Sequence, residues 1–230
     1  MAKNTKLRQK LMKVVDREKQ YTVTDAVKTL KECDSAKFDE TVDVALNLGI
    51  DPRHADQQVR GTVVLPHGTG KTVRVVVFAK GEAADEAKKA GADEVGTDDL
   101  AKKIQGGWLE FDRVIAAPDC MPVVGKLGQV LGPKGMMPNP KLGTVTNDVA
   151  TAIKNIKLGQ VEYKTDKAGI IHASVGKISF TADELKKNIE FLLQEIKKKK
   201  PETSKGIFIK KFFINSTMGP GLQVDPTSVM

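Results

Sequence analysis

Histidine is the residue that acid–base catalysis and metal binding use most often, and this sequence has three of them. His54, His67 and His172 do not follow a metal-ligand spacing, and no cluster of cysteines or carboxylates accompanies them. The sequence also contains no nucleophile elbow and no zincin helix. We therefore predict that the chain is not an enzyme, has no catalytic residues, and uses neither a metal ion nor a cofactor.

The segment from His67 to Thr72, His-Gly-Thr-Gly-Lys-Thr, has part of the composition of a phosphate-binding loop. A Walker loop requires a glycine five residues before Gly70, where this sequence has Leu65. It also requires an apolar strand before the loop, whereas here the apolar strand follows the lysine. We interpret the segment as a turn at which the chain crosses between two domains.

Two further segments carry basic residues that could contact phosphate. The stretch 125–140 is rich in glycine and proline, and a helix that ends at Leu131 cannot continue through Gly132-Pro133. The loop that follows is either a rigid surface connection or a contact for a phosphate backbone. The four lysines at 197–200 are either the solvated end of a helix or a phosphate contact.

The overall charge favours a polyanionic partner. The 230 residues include 37 basic and 29 acidic ones, a net charge of +8, and lysines that neutralise phosphates release counterions. Aromatic residues make up only 5% of the chain, which argues against binding many unstacked bases on aromatic side chains. Cys33 and Cys120 have no partner spacing, and no stretch approaches the ~20 apolar residues of a membrane span. We expect a soluble, cytoplasmic protein with no membrane contact.

The periodicity of the two terminal parts predicts helices and antiparallel strands. A charged helix is expected over residues 5–18, and Thr22 or Thr24 can cap a second helix that runs to about Cys33. From Phe38 the period is two, with one apolar face formed by Phe38, Val42, Val44, Leu46 and Leu48. Further strands are expected at 59–65, 161–165, 170–175 and 207–215, with a hairpin turn at 166–169 between the middle two. Thr181 and Glu184 form a capping box for a long helix with the apolar stripe Leu185, Ile189, Leu192 and Ile196.

The middle of the chain alternates strands with helices. Residues 73–79 are a continuous apolar run, which is typical of a strand buried on both faces. Strands are also expected at 92–95 and 114–117, and helices at 82–90, 98–105, around 122–131 and at 147–156. This order predicts a small open α/β sheet.

The terminal parts each have too few elements to bury a core of their own. We therefore predict one discontinuous α+β domain, residues 1–66 plus 161–230, in which helices pack on an antiparallel sheet. It is interrupted by an inserted α/β domain at 67–160, a three-layer Rossmann-like fold, with possible hinges at Pro66, Gly68 and Gly159. The discontinuous domain has 24 basic and 18 acidic residues, a net charge of +6, and the insert has 13 and 11, a net charge of +2. The charge excess therefore lies mainly in the discontinuous domain.

Five segments, in order over nearly the whole chain, together form a specific pattern. They are residues 37–42 (Lys-Phe-Asp-Glu-Thr-Val), 49–53 (Gly-Ile-Asp-Pro-Arg), 61–68 (Gly-Thr-Val-Val-Leu-Pro-His-Gly), 132–138 (Gly-Pro-Lys-Gly-Met-Met-Pro) and 216–220 (Ser-Thr-Met-Gly-Pro). On these segments the chain resembles the L-one family of bacterial large-subunit ribosomal proteins. The resemblance implies two domains, the first built from both chain ends.

The resemblance also implies a function and partners. The chain is expected to be a structural constituent of the large ribosomal subunit, bound to the ribosome in the cytoplasm. It is expected to bind the mobile stalk of large-subunit rRNA near the tRNA exit site and to assist release of deacylated tRNA. It is further expected to repress translation of its own operon by binding the operon mRNA. The implied partners are this rRNA, this mRNA, exit-site tRNA and other ribosomal components.

The same resemblance places the main RNA contact on the discontinuous domain. We expect lysines to bind phosphates, Ser216 and Thr217 to bind ribose 2′-hydroxyls, and Phe38 and Met218 to contact sugar or base. Gly219 is expected to permit a close backbone approach, and residues 216–220 to lie near Phe38 and near the turn at 164–169. The predicted RNA-binding residues are Lys37, Phe38, Glu40, Thr41, Lys164, Asp166, Lys167, Gly169, His172, Lys211, Ser216, Thr217, Met218 and Gly219.

Two alternatives to this function remain open at this point. A nucleotide-dependent enzyme could use the middle α/β domain, although Phe78-Ala79-Lys80-Gly81 carries only one of the glycines that such a site needs. Stabilisation by ATP or NAD in a thermal-shift screen, with none by stalk RNA, would favour the enzyme. A purely structural ribosomal protein without a regulatory role is also compatible with the sequence.

Overall fold

The computed structural model describes residues 11, 14–16, 19–33, 36–204 and 206–226. The chain forms two compact units: residues 1–70 with 161–230, called the terminal unit, and residues 71–160, called the central unit. The helix predicted over residues 5–18 lies almost entirely outside the described residues and stays a prediction. The expected mixture of helices and sheets is confirmed.

Helices and strands alternate irregularly along the chain. In chain order they are α1 (Val23–Glu32), β1 (Thr41–Leu48), β2 (Arg60–Val64), β3 (Val75–Phe78), α2 (Glu82–Lys89), β4 (Glu94–Gly96), α3 (Asp98–Gln105), β5 (Arg113–Ala116), α4 (Met121–Gly125), α5 (Gly128–Leu131), α6 (Val149–Lys157), β6 (Gln160–Lys164), β7 (Ile170–Lys177), α7 (Ala182–Lys198), β8 (Ile209–Ser216) and β9 (Leu222–Val224).

The terminal unit is built on a four-stranded antiparallel sheet with the order β7-β1-β8-β9. Helices α1 and α7 contact each other, and between them they contact β7, β8 and β9. Every second residue of β1 is buried, and this set, Val42, Val44, Leu46 and Leu48, agrees with the predicted core face. The alternation follows from the pleat, which sends successive side chains to opposite faces. One face of the sheet therefore joins the core, and the other stays partly exposed.

Capping residues fix where α1 and α7 begin. At the start of α1, the Asp25 N–H donates to the Thr22 hydroxyl oxygen. At the start of α7, the Glu184 N–H donates to the Thr181 hydroxyl oxygen and the Thr181 N–H donates to the Glu184 carboxylate. These reciprocal bonds are the predicted capping box, which is confirmed.

The central unit contains a three-stranded parallel sheet with the order β4-β3-β5. All four residues of β3 are buried. Val76 and Phe78 join a core cluster with side chains of α3, α4 and α5, whereas Val75 and Val77 join a second cluster with side chains of α2 and α6. The apolar run is therefore buried on both faces, as predicted.

Two predictions about strands are wrong. β6 and β7 do not form a hairpin, because β6 pairs with β2, β7 pairs with β1, and only an isolated bridge between Thr165 and Ile171 joins the segments beside the turn. β1 begins at Thr41, and Phe38 is 54% exposed instead of lying on the buried face. The sequence also gave no indication of β9, which pairs with β8.

Candidate nucleic-acid interface

The partly exposed side of the four-stranded sheet, here called the open face, brings many of the predicted site residues onto one surface. Its outward residues on the central strand are Thr41, Asp43, Ala45 and Asn47. The strand register places His172 of β7 and Phe213 of β8 on either side of Ala45. The next pair along, Ile170 and Lys211, flanks Asn47, and Ser174 and Asn215 flank Asp43. The open face is therefore a mixed polar and aromatic surface on a rigid scaffold.

At one end of this face the segments 37–41 and 216–219 meet; together they are called the Thr41 end. They meet because β1 and β8 are antiparallel, so that Val42 pairs with Ser216. The Thr41 N–H donates to the Thr217 hydroxyl oxygen at 3.1 Å, and that hydroxyl donates to the Thr41 carbonyl at 3.3 Å. The Met218 N–H donates to a carboxylate oxygen of Glu40 at 3.0 Å. These bonds tie the two segments together.

Asp39 anchors the same end to the connection between β7 and α7. Its carboxylate accepts hydrogen bonds from the Ser179 N–H at 3.2 Å and from the Ser179 hydroxyl at 2.9 Å. The Lys177 ammonium donates to the Asp39 carbonyl at 3.1 Å. Phe38 therefore lies next to residues 39–41, which are hydrogen-bonded both to residues 217–218 and to the connection between β7 and α7.

The predicted residues of the Thr41 end divide into exposed and buried groups. Lys37 and Thr217 are exposed, and Phe38 and Met218 are 54% and 55% exposed. Glu40 and Ser216 are each only 1% exposed. The expectation that the Ser216 hydroxyl reaches a ribose is therefore corrected: Glu40 and Ser216 lie beneath the surface and position the residues above them.

Gly219 also has a structural explanation. Its N–H donates to the Ser216 carbonyl at 3.2 Å, and a Cβ at this position would lie 2.2 Å from the Ser216 Oγ. The space that a side chain would need is occupied by this chain itself. Glycine is thus required here by an internal contact, and the expected approach of RNA to Gly219 stays a prediction.

At the opposite end of the open face lies the turn end, residues 164–172 with Lys211. One carboxylate oxygen of Asp166 accepts from the Ala168 and Ile170 N–H groups, both at 2.8 Å. These bonds, that from Ile170 above all, lower the pKa of Asp166 below its usual value. Gly169, at φ 77°, closes the turn, and its carbonyl accepts from the Leu48 N–H at 3.0 Å.

The side chains of the turn end are mostly exposed and basic. Lys164, Lys167 and His172 are exposed, while Gly169 is buried and supports the turn. The His172 Nε2 lies 3.9 Å from the second carboxylate oxygen of Asp166. On β8 the register shifts between Asn47 and Leu48 of the partner strand, so Lys210 is an extra residue and both Lys210 and Lys211 are exposed.

The two ends are separated along the sheet. β1 spans the whole distance from Thr41 to Leu48, and eight residues in a strand cover roughly 23 Å. Residues 216–220 lie beside the Thr41 end, near Phe38 as expected. The expectation that they also lie near the turn at 164–169 is wrong, because the antiparallel register places that turn beside Leu48.

The sequence interpretation missed the outward residues Asp43, Ser174, Phe213 and Asn215, which lie between the two ends. The alternation in β1 contained the information for Asp43, since the residues between the buried ones face outward. What the alternation could not supply was the choice of partner strands.

The glycine- and proline-rich loop of the central unit is partly packed and partly exposed. In the glycine- and proline-rich loop, Met136 and Met137 pack against the core of the central unit, and Pro133, Lys134 and Gly135 are exposed. The described part of the chain contains no group of three or more His, Cys, Asp or Glu side chains that could hold a metal ion. Among the described helices, none is both long and apolar enough to cross a membrane.

Comparison with known proteins identifies the family to which the chain belongs. Residues 30–220 match the model of the Ribosomal protein L1p/L10e family. The chain belongs to this family, which confirms the resemblance found in its motifs.

Individual relatives match over nearly their full length. The chain is 58% identical to the large ribosomal subunit protein uL1 of Coxiella burnetii over 228 residues, which cover 99% of this chain and 98% of that protein. It is 57% identical over 230 residues to the protein of the same description from Alcanivorax borkumensis, with both chains covered completely. It is 59% identical over 225 residues to that from Francisella philomiragia, with 98% and 97% covered. These relatives are ribosomal proteins and not enzymes, and the chain is accordingly not an enzyme.

Proposed function

We propose that the chain is a structural constituent of the large ribosomal subunit and that it binds the mobile stalk of the subunit's rRNA near the tRNA exit site. Membership of the family and the descriptions of the relatives support the ribosomal assignment. The open face and its two ends are the proposed RNA-binding surface. The chain also binds its operon mRNA on the same surface, in competition with rRNA, and so represses translation of the operon. On the ribosome it assists release of deacylated tRNA.

The observation that carries this proposal is the construction of the Thr41 end. Two reciprocal hydrogen bonds between Thr41 and Thr217 and the bond from Met218 to buried Glu40 fix a pair of loops. These loops hold Phe38 and Met218 more than half exposed. Single exposed apolar side chains are common on protein surfaces, but Phe38 and Met218 project from two segments that hydrogen bonds join, and a base or ribose suits both of them.

The remaining groups suit the rest of an RNA strand. Lys37 at one end and Lys164, Lys167 and Lys211 at the other are exposed and can neutralise phosphates. Thr217 is exposed, and its hydroxyl can bond to a ribose 2′-hydroxyl, which distinguishes RNA from DNA. Because only these few lysines contact the strand, the dependence of affinity on salt should be shallow for so basic a protein.

The test is RNA binding by matched variants. Phe38→Ala should weaken binding to stalk RNA by roughly 5- to 150-fold, because stacking on one aromatic ring contributes about 1–3 kcal/mol. Phe191→Ala is the control, since Phe191 is an exposed phenylalanine of α7, outside the open face. Met218→Asp and Thr217→Ala should also weaken binding, and Lys197→Ala should not. Equal losses for Phe38→Ala and Phe191→Ala in filter binding would refute the assignment of the surface.

The regulatory part of the proposal is tested separately. The operon mRNA leader should displace stalk RNA from the chain, and Met218→Asp should weaken both complexes by similar factors. Binding of the leader that survives Met218→Asp would separate repression from the open face.

A further inference from the structure

A cavity in the terminal unit lies between the loop 51–58 and the turn end. Its volume is about 460 Å³, and its lining residues are Pro52, Gln58, Lys164, Thr165, Asp166 and Lys167. Sites for small ligands commonly measure roughly 300–1,000 Å³. Pro52, Gln58 and Thr165 were not among the predicted RNA-binding residues.

Hydrogen bonds within the chain hold both walls in place. The Thr165 N–H donates to the Val59 carbonyl at 3.0 Å, which joins the two walls. The side-chain amide of Gln58 donates to the Pro52 carbonyl at 3.2 Å. This bond fixes the amide and leaves its second N–H and its oxygen for a ligand. The cavity is therefore formed before any ligand arrives, which lowers the entropic cost of binding.

The charges at the cavity favour an anion. Lys164 and Lys167 are exposed, and within the described residues neither makes an ion pair. Asp166 is the one acidic lining residue, and one of its carboxylate oxygens is occupied by the N–H groups of Ala168 and Ile170. Two ammonium groups are thus available to a ligand. The negative charge of the neighbouring Asp166 carboxylate is already partly compensated by the backbone N–H groups that donate to it.

Thr165 supplies an observation that the fold itself does not explain. The residue is 7% exposed, and in the described part of the chain its hydroxyl oxygen is buried without a hydrogen-bond partner. Such a group costs about 1–3 kcal/mol relative to a satisfied one and is uncommon in folded proteins. Because Thr165 lines the cavity, a ligand bound there is the candidate partner for this hydroxyl.

We propose that this cavity receives one unstacked nucleotide of the bound RNA strand, an inference that rests on the proposed function. The ring of Pro52 packs against the base, and the Gln58 amide bonds to the base edge as both donor and acceptor. Lys164 and Lys167 neutralise the adjoining phosphate, and the Thr165 hydroxyl gains the partner that it lacks. A free nucleoside monophosphate carries the same chemistry, so both sources must be tested.

The decisive variant is Thr165→Val, which keeps the shape of the side chain and removes the unsatisfied hydroxyl. The urea concentration at which half of this variant is unfolded should equal or exceed that of the parent chain, because the substitution removes a buried polar group that has no hydrogen-bond partner. Its affinity for stalk RNA should nevertheless fall roughly threefold to tenfold, the effect of one hydrogen bond. Thr165→Ser should retain affinity. Gln58→Ala should lose it, and Gln194→Ala, at an exposed position of α7, should not.

NMR titration of the full chain separates the possible ligands. A single-stranded RNA oligonucleotide should shift the Gln58 side-chain amide signals and the Thr165 backbone signal. Nucleoside monophosphates should shift the same signals at higher concentration, and inorganic phosphate should not shift the Gln58 amide. Shifts of Gln58 with phosphate alone, or full RNA affinity of Thr165→Val, would overturn the nucleotide assignment. If Phe38→Ala and Met218→Asp still weaken RNA binding in that case, the proposed function stands without the cavity.

Discussion

Replacement of Gly219 by alanine tests whether the Thr41 end is held by internal contacts. The new Cβ would lie 2.2 Å from the Ser216 Oγ. Side-chain carbons approach a neighbouring oxygen no closer than about 3 Å, so the two atoms must separate by roughly 1 Å. Ser216 is 1% exposed, and its backbone pairs with that of Val42 across the sheet, so Ser216 cannot move away freely.

The cost follows from the extent of this overlap. Overpacking in a well-packed site costs about 1–3 kcal/mol, and each 1.4 kcal/mol is a factor of ten. The strain can be relieved by displacing residues 217–219, which weakens the two hydrogen bonds between Thr217 and Thr41 and the one from Met218 to Glu40. Gly219→Ala is therefore expected to lower the free energy of unfolding, the free energy of binding to stalk RNA, or both. The two losses together should amount to about 1–3 kcal/mol.

A double-mutant cycle identifies the cause. Ser216→Ala removes the clashing oxygen, after which the nearest atoms to the new Cβ are the residue 216 Cβ at 3.4 Å and Leu30 Cδ2 at 3.8 Å, both ordinary contacts. The double variant Ser216→Ala/Gly219→Ala should therefore behave like Ser216→Ala alone in urea denaturation and in filter binding. Gly221→Ala is the control, since a Cβ there meets nothing within 4 Å. Additive losses in the cycle would refute the steric explanation.

Two further predictions concern the turn at the end of β2 and the pH dependence of stability. Asn188 is fully buried, and its side-chain amide accepts from the His67 N–H and donates to the carbonyls of Gly68 and Val175. Asn188→Leu should lower the free energy of unfolding by about 1–3 kcal/mol and speed hydrogen exchange at His67, because these backbone groups lose their partners. The pKa of Asp166 is lowered in the folded chain, so its ionised form stabilises the fold above the unfolded pKa of about 3.9, and this contribution is lost as the pH falls through the folded pKa. The stability difference between the parent chain and Asp166→Asn, measured in urea, should shrink between about pH 5 and about pH 2; a difference that is constant across this range would contradict the lowered pKa.

Local patterns allowed much of the fold to be predicted from the sequence. The alternation in β1 identified its buried residues because the pleat has a fixed period of two. Thr181 and Glu184 identified the start of α7 because a capping box requires only residues three apart. Asp98–Gln105 was predicted with the bounds that the structure has. Each of these features depends on neighbours in the sequence.

Partner choice between strands could not be predicted in the same way. The turn at 166–169 has the expected chemistry, with Asp166 accepting from the backbone and Gly169 at a positive φ. A turn of this kind normally joins paired strands, but here β6 and β7 pair with different partners. That choice depends on which distant strands can bury the side chains of β6 and β7, and no local signal records it.

In the candidate site, too, local patterns could be predicted from the sequence, whereas features that depend on strand pairing could not. The motifs named residues at both ends of the open face, but they did not reveal that Glu40 and Ser216 are buried or that the ends are separated by the length of β1. Burial of Ser216 follows from the register of β8, which from Phe212 onward places every second residue of that strand in the core. The cavity beside Thr165 depends on the approach of residues 52–58 to residues 164–167, which are more than a hundred positions apart in sequence.

The separation of the two ends has a consequence for how the proposed surface would select RNA. A sheet strand is stiff, so the roughly 23 Å between the Thr41 end and the turn end changes little on binding. An RNA that satisfies both ends must therefore present a sugar or base at one point and a phosphate with an unstacked nucleotide at a fixed distance from it. Such a requirement selects the shape of a folded RNA more than its sequence. An rRNA stalk and an mRNA segment of different sequence can meet it equally, since each needs only to place these groups at the same spacing.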